Sequence, residues 1–187
     1  MRIIDRTAQA ASTVRTRNGR NIYSHGNAAA RRDVSRIDAI MLHQTAFVSG
    51  DVARFDSVIA NYIVMQNGDV LYVRPLSAAL NSIGTNQRAI DIEFVGNYPS
   101  ANAIRRGASS PVPPVIQLKA GRELVRYLKG RQGTGNIFGH VQFRPKNCPG
   151  PHIWYNVGEW AVRNGLHFGG RGRPIPSNWQ DASLAIV

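Results

Sequence analysis

The chain has 187 residues, 43% of them hydrophobic, with a formal net charge of +12 and a pI near 11.0. That length suits one domain with its own core, and no apolar run reaches the roughly 20 residues that a membrane-spanning helix needs. A single cysteine, Cys148, excludes an intrachain disulfide, and a charge carried almost wholly by arginine favours an anionic partner.

Residues 1–35 are polar and rich in Arg, Asn and Ala. Eight arginines stand against two aspartates in residues 1–37, a net of +6 and half the charge of the chain. With its weak periodicity, this stretch reads as a basic N-terminal extension. No apolar h-region follows Met1-Arg2-Ile3-Ile4-Asp5, so no secretory signal is expected, and we expect a protein made in the cytoplasm. Ala39-Ile40-Met41-Leu42 fits a buried strand ending at His43. Val52, Phe55, Val58 and Ile59 then repeat at helical spacing behind Asp51, a suitable N-cap. The runs Tyr62 to Met65 and Val70 to Val73 flank Gln66-Asn67-Gly68-Asp69, the pattern of a β-hairpin.

Ala89 to Val95 reads as a further strand, followed by a Pro- and Gly-rich loop over 96–114. Loops of that length inside a domain are often functional. Pro114 opens a helix with Ile116, Ala120, Leu124 and Leu128 on one face and Gly130 as its stop. Asn136-Ile137-Phe138-Gly139 is a short strand leading to His140. The last helix spans about 152–164, buries Ile153, Val157, Trp160 and Ala161, and stops at Gly165. Residues 166–187 read as an irregular tail, with Trp179 packed back on the domain. Strands interleaved with helices predict a single-domain α/β fold over 36–165, a central mixed β-sheet flanked by helices.

His43 and His140 close two predicted strands, and Cys148 follows in a loop eight residues after His140. Two imidazoles and a thiolate make a good zinc set and leave a fourth position for water. A metal held so lowers the pKa of that water and polarises a carbonyl under attack. A histidine at a strand end is more often a hydrogen-bonded structural residue, so spacing alone leaves both readings open. Lys146 either stabilises an oxyanion or is a surface lysine. Asp91, Glu93 and Val95 share one strand face; that face either lines a cleft, with Glu93 as a general base, or meets solvent. His25 and His167 read as solvated, His152 as a neighbour of the helix start rather than a fourth ligand, and Trp154 and Trp160 as core.

The segment Met41-Leu42-His43-Gln44-Thr45-Ala46 resembles the first ligand motif of the amidase-2 family, zinc-dependent N-acetylmuramoyl-L-alanine amidases that include peptidoglycan recognition proteins and the T7-type phage lysozyme. Gly139-His140-Val141-Gln142-Phe143-Arg144-Pro145-Lys146-Asn147-Cys148-Pro149-Gly150 resembles the second, with His, Lys and Cys in the family's spacing. The hairpin and the Ile90-Asp91-Ile92-Glu93 strand fit the intervening order, so the match covers about 36–165. The resemblance implies Zn2+ held by His43, His140 and Cys148, with Lys146 at the oxyanion and Gln44 and Thr45 on the substrate side. The reaction it implies is hydrolysis of the amide between N-acetylmuramic acid and L-alanine, in peptidoglycan or muropeptides.

Two positions depart from the family's pattern. Many members carry a catalytic tyrosine eight residues before the hairpin glycine; counting back from Gly68 gives Ala60, and Tyr62 is displaced by two. The cytoplasmic muropeptide-recycling branch uses a glutamate on the later strand instead, at the position of Glu93, which we take as the base. That branch has an aspartate as third ligand where this chain has Cys148. Asn81 stands where many members place a substrate-side histidine. A non-catalytic peptidoglycan-binding module and a recycling enzyme stay open as alternatives, although the former typically lacks the cysteine ligand. No recognised motif supports nucleic acid as the partner. The charge fits an endolysin- or effector-like enzyme that reaches an anionic cell envelope by lysis or non-classical export, with delivery machinery or an immunity protein as further partners.

Overall fold

A computed structural model gives the fold for residues 1–11, 16–17, 20–21, 32–78, 80, 87–98, 112–168 and 171–187. The strands in chain order are β1 (Ile3–Asp5), β2 (Thr16–Arg17), β3 (Arg20–Asn21), β4 (Ala39–Gln44), β5 (Tyr62–Val64), β6 (Val70–Tyr72), β7 (Ala89–Phe94) and β8 (Asn136–Gly139). β2 and β3 pair with each other. The other six form one mixed sheet in the order β1-β6-β5-β7-β4-β8. β5, β7, β4 and β8 run parallel, β6 is antiparallel to β5, and β1 is parallel to β6.

The central strands β4 and β7 are apolar at eight of their twelve positions, and both their faces are covered. Ile40, Leu42, Ile90, Ile92, Phe94 and Ile137 face the main core beneath two long helices. Ala39, Met41, Ala89 and Phe138 form a smaller cluster with Phe143, apart from that core. The helices are a short α1 (Thr7–Ala11), α2 (Val115–Gln132) and α3, which runs without a break through Pro151–Ile153, a π turn at Trp154–Glu159, and Trp160–Arg163.

Several boundaries move from the sequence expectation, each for a physical reason. The apolar spacing after Asp51 predicts an α-helix, but only a 3-10 turn forms over Val52–Ser57, with Asp51 capping Ala53 N–H at 2.9 Å. α2 continues through Gly130 and ends at Gly133, whose φ of 67° lets its N–H bond Lys129 O. Ile116 is 55% exposed. Gln117 takes the inward position instead, because its amide donates to the carbonyls of Val64 and Val95 at 2.9 Å and its oxygen lies 2.7 Å from the Tyr98 hydroxyl. A buried polar side chain is stable where all its groups are paired in this way.

Both expected extensions contribute to the fold. β1 adds a strand beside β6, with Ile3 opposite Val70, and Arg6 makes a bidentate ion pair with Asp56 at 2.7 and 2.6 Å. Arg32 is buried. Residues 12–15, 18–19 and 22–31 of the basic stretch lie outside the described residues. At the other end, Ile175, Trp179 and Leu184 are buried in the domain. Asn156, in the π turn of α3, holds this tail by donating to Leu184 O and accepting from Ile186 N, both at 2.8 Å.

α2 lies so close to the sheet that an added Cβ at Gly121 would sit 2.6 Å from two ring carbons of Phe94, a fully buried side chain. Alanine gains about 1 kcal/mol of helix propensity over glycine, but overpacking costs about 1–3 kcal/mol. We therefore expect Gly121→Ala to destabilise the protein by up to about 2 kcal/mol, read as a lower urea unfolding midpoint at unchanged slope.

Candidate metal centre

β4 lies between β7 and β8, and all three run parallel, so their carboxyl ends open on one edge of the sheet. Sites in α/β sheets collect at that edge. The register sets His43 opposite Glu93 and Leu42 opposite Gly139, which brings His140 alongside His43. Cys148 returns from the loop that follows, with its Sγ accepting from Gln44 N–H at 3.3 Å.

His43 Nδ1 lies 3.0 Å from His140 Nδ1 and 3.9 Å from Cys148 Sγ, and all three donor atoms fall within 4.8 Å of one another. Zinc at its usual bond lengths in a tetrahedral site sets nitrogens roughly 3.3 Å apart and a nitrogen and sulfur roughly 3.6 Å apart. The donor set therefore fits that ion in type, and the two spacings measured from His43 Nδ1 lie within about 0.3 Å of that geometry. His43 Nε2 lies 3.0 Å from Asp91 Oδ1, with both side chains buried. A carboxylate on the far nitrogen fixes the tautomer that leaves Nδ1 for a metal.

The two imidazoles differ in proton affinity. Burial works against protonation of His43, but its bonds to Asp91 and Cys148 and the charge of Glu93 outweigh it and hold the ring well above its ordinary value. His140 is pushed down to about 3, by burial first and then by the positive charges of His43, Lys146 and Arg144. The two rings are thus pushed in opposite directions, and a metal between them needs both Nδ1 atoms free of protons, so its uptake is coupled to proton release.

These residues line a cleft of about 510 Å3 together with Gln44, Thr45, Ala46, Ile59, Glu93, Asn97, Lys146 and Asn147. The face shared by Asp91, Glu93 and Val95 is therefore a cleft wall at Glu93 and not a solvated sheet face. Glu93 Oε2 is buried without a hydrogen-bond partner. Burial raises its pKa to about 7; Asp91 adds to that rise and His43 opposes it. Lys146 is exposed at the cleft rim.

Two residues assigned to the substrate side are committed elsewhere. Gln44 accepts from Tyr98 N–H at 2.6 Å and donates to the carbonyls of Tyr98 and Asn147, so its amide pins the ligand loop. The Thr45 hydroxyl donates to Phe47 O at 2.6 Å and accepts from Gly96 N–H at 3.1 Å, closing the loop around Ala46, whose φ is 60°. Asn81 lies outside the described residues. Ala60 is fully buried, and Tyr62 stacks on Tyr72 in the main core, 4.8 Å between ring centroids. Among the described residues that line the cleft there is no tyrosine. His152 lies 3.4 Å from Leu184 O and is not one of the three clustered donors. The sequence reading missed Asp91 as the partner of His43, although strand alternation had placed it on the correct face.

Residues 32–151 match the family model described as N-acetylmuramoyl-L-alanine amidase, Amidase_2. No curated protein matches the chain in sequence. Among solved structures, the N-acetylmuramoyl-L-alanine amidase LysC from Clostridium intestinale URNW is similar at a TM-score of 0.59 and 16% identity, over 88% of this chain and 96% of that one. Drosophila PGRP-LB is similar at 0.59 and 13%, over 85% and 94%. The Ph2119 endolysin from Thermus scotoductus MAT2119 bacteriophage Ph2119 is similar at 0.55 and 18%, over 83% and 99%. At these identities the likeness is one of fold.

The Gln44 amide pairs Tyr98 N–H and Asn147 O, whereas Tyr98 O has a second donor in Asn147 Nδ2, so Gln44→Leu strands two backbone groups. We expect a loss of about 1–3 kcal/mol in unfolding free energy, measured by urea denaturation. An unchanged midpoint would show that the clamp contributes nothing.

Proposed function

Since the chain belongs to the N-acetylmuramoyl-L-alanine amidase family, we propose that it is a zinc-dependent enzyme that hydrolyses the amide between N-acetylmuramic acid and L-alanine in peptidoglycan. The observation that carries this reading is the convergence of His43, His140 and Cys148 on one point beside Glu93, whose buried oxygen has no partner. These three residues would hold the zinc, which supplies Lewis acidity to a carbonyl and acidity to a water. As a thiolate, Cys148 would donate charge to the metal and soften that acidity relative to a carboxylate ligand.

Glu93 is the base in this mechanism. It takes a proton from the attacking water as the C–O bond forms, and gives it to the departing amine of L-alanine as the C–N bond breaks on collapse of the tetrahedral intermediate. A carboxyl whose pKa lies near neutrality is suited to both halves of that transfer. Lys146 places an ammonium at the cleft rim, where it stabilises the oxyanion of the tetrahedral intermediate. Gln44 and Thr45 hold the loops that carry these groups.

We further propose the anionic cell envelope as the surface on which the enzyme works, reached by lysis or non-classical export. Lys119, Arg122, Arg126 and Lys129 recur along α2 at helical spacing, in the layer that covers the face of the sheet away from Glu93. Arg122 and Arg126 stack on the Trp160 ring, at 5.2 and 4.8 Å from its centroid. Such a stripe attracts polyanions without occupying the cleft.

The deciding experiment is a digest of purified peptidoglycan, with and without a zinc chelator, and products identified by mass spectrometry. We expect free stem peptides beginning with L-alanine, lost on chelation and restored by zinc. Zinc-loaded protein that binds sacculi and releases no peptide would identify a recognition module instead.

Glu93→Gln should abolish turnover while leaving sacculus binding intact, and that binding should weaken as salt is raised. In the wild type, kcat/KM should fall with decreasing pH as Glu93 takes up a proton. Its midpoint should lie at or below about 7, since a bound dication lowers the pKa of a nearby carboxyl. A Glu93→Gln protein that keeps most of the wild-type rate removes Glu93 from the mechanism.

A further inference from the structure

Behind the candidate metal centre lies a buried cation that the mechanism above does not use. Arg32 is 6% exposed, although the residues before it in sequence read as a basic N-terminal extension. Its Nε donates to Leu76 O at 2.7 Å, its Nη1 to Ala89 O, and its Nη2 to Asn61 Oδ1 at 3.2 Å. The same Asn61 oxygen accepts from Asp91 N–H at 3.1 Å, and Asn61 N–H donates to Asp91 O at 3.0 Å. Asn61 is itself fully buried. Arg32 therefore grips β7 at Ala89 and, through Asn61, at Asp91, two successive residues of the face that carries Glu93.

Electrostatics ties the same residues together. Burial lowers the pKa of Arg32, and the negative charge of Asp91 acts against that drop. Guanidinium keeps its charge in proteins, and a buried charge persists where an opposite charge and full hydrogen bonding compensate it. Asp91 is fully buried and bonded to His43 Nε2 on its other side. A cation, a carboxylate and an imidazole thus follow one another from the protein interior to the cleft.

We propose that Arg32 is a positioning residue, the buried countercharge and clamp that holds Asp91 on His43 Nε2 and thereby presents His43 Nδ1 to the metal. The proposal rests on the metal-centre reading of the cleft. It makes the junction between the basic N-terminal stretch and the domain part of the site: the charge of Arg32 is spent inside, on geometry, and not on an anionic partner.

The test measures zinc affinity by competition with a chromophoric chelator, and the visible spectrum of the cobalt(II)-loaded protein, for wild type, Arg32→Lys, Arg32→Met, Asp91→Asn and the Arg32→Met/Asp91→Asn double variant. Thermal melting checks that each is folded. Loss of an outer-shell partner weakens a metal site by about 10–100-fold, so Arg32→Met and Asp91→Asn should each bind zinc that much less tightly and shift the cobalt bands. Arg32→Lys should recover most of the affinity, and the double variant should bind no worse than Asp91→Asn alone.

Wild-type affinity in Arg32→Met overturns the proposal, as does a double variant whose loss equals the product of the two single losses. If Arg32→Met does not fold, Asp91→Asn decides: unchanged zinc affinity there overturns the relay at its second member. A wild type that takes up no zinc is a separate result, which fails the metal reading itself and the proposal with it.

Discussion

The site depends on the register of three parallel strands. With β4 held between β7 and β8, His43 falls opposite Glu93 and Gly139 falls beside Leu42. A slip of one residue in either pairing would turn the affected side chains to the opposite face. His43, Asp91 and Glu93 would then exchange places with Leu42, Ile90 and Ile92, which belong to the core under the helices. Burial of that apolar set is worth about 25 cal/mol per Å2 of area removed from water, so the hydrophobic core fixes the register and the register fixes the chemistry. The polar residues of the site occupy positions that the apolar ones have already decided.

Buried amides carry that order outward from the strands. Gln44 joins the end of β4 to Tyr98 and Asn147, Gln117 joins α2 to the ends of β5 and β7, and Asn156 joins α3 to the C-terminal residues. Asn61 does the same for Asp91. Each sits where backbone groups have lost their strand or helix partners and cannot reach water, and each supplies donors and an acceptor together. The loops that bear Cys148 and Lys146 are therefore anchored to the sheet. A metal ligand must be held in this way before the ion arrives if binding is not to cost the ordering of its loop.

What was legible in the sequence follows the range of the interactions involved. The His43 and His140–Lys146–Cys148 motifs are local patterns, and so is the hairpin around Gly68; in the structure His43, His140 and Cys148 cluster and β5 pairs with β6. The shared face of Asp91 and Glu93 came from strand alternation alone. β1 was missed because a three-residue parallel edge strand draws its stability from partners some 67 positions away and has little periodicity of its own. Ile116, expected on the buried face, gives way to Gln117 because hydropathy does not register a pair of orphaned carbonyls. Arg32 gave no signal: in composition it is one more arginine in a basic run, and only the tertiary structure separates it from its neighbours.

The proposed base is where fold and chemistry meet most closely. A tyrosine on β5 has to project from the same face as Glu93 to reach the cleft. That face of β5 belongs to Ile63, which lies opposite Glu93 in the register. Tyr62 points into the main core, where burial pushes its hydroxyl pKa well up. Among the described cleft residues, Glu93 is the one carboxylate. Burial raises it to near neutrality, while Asp91, one alternation deeper in the sheet, is bonded to the ring of His43. Two carboxylates on one strand face thus occupy unlike environments, one directed at a ligand and one at the space a substrate would fill. Such a division separates a group that orients from a group that exchanges protons.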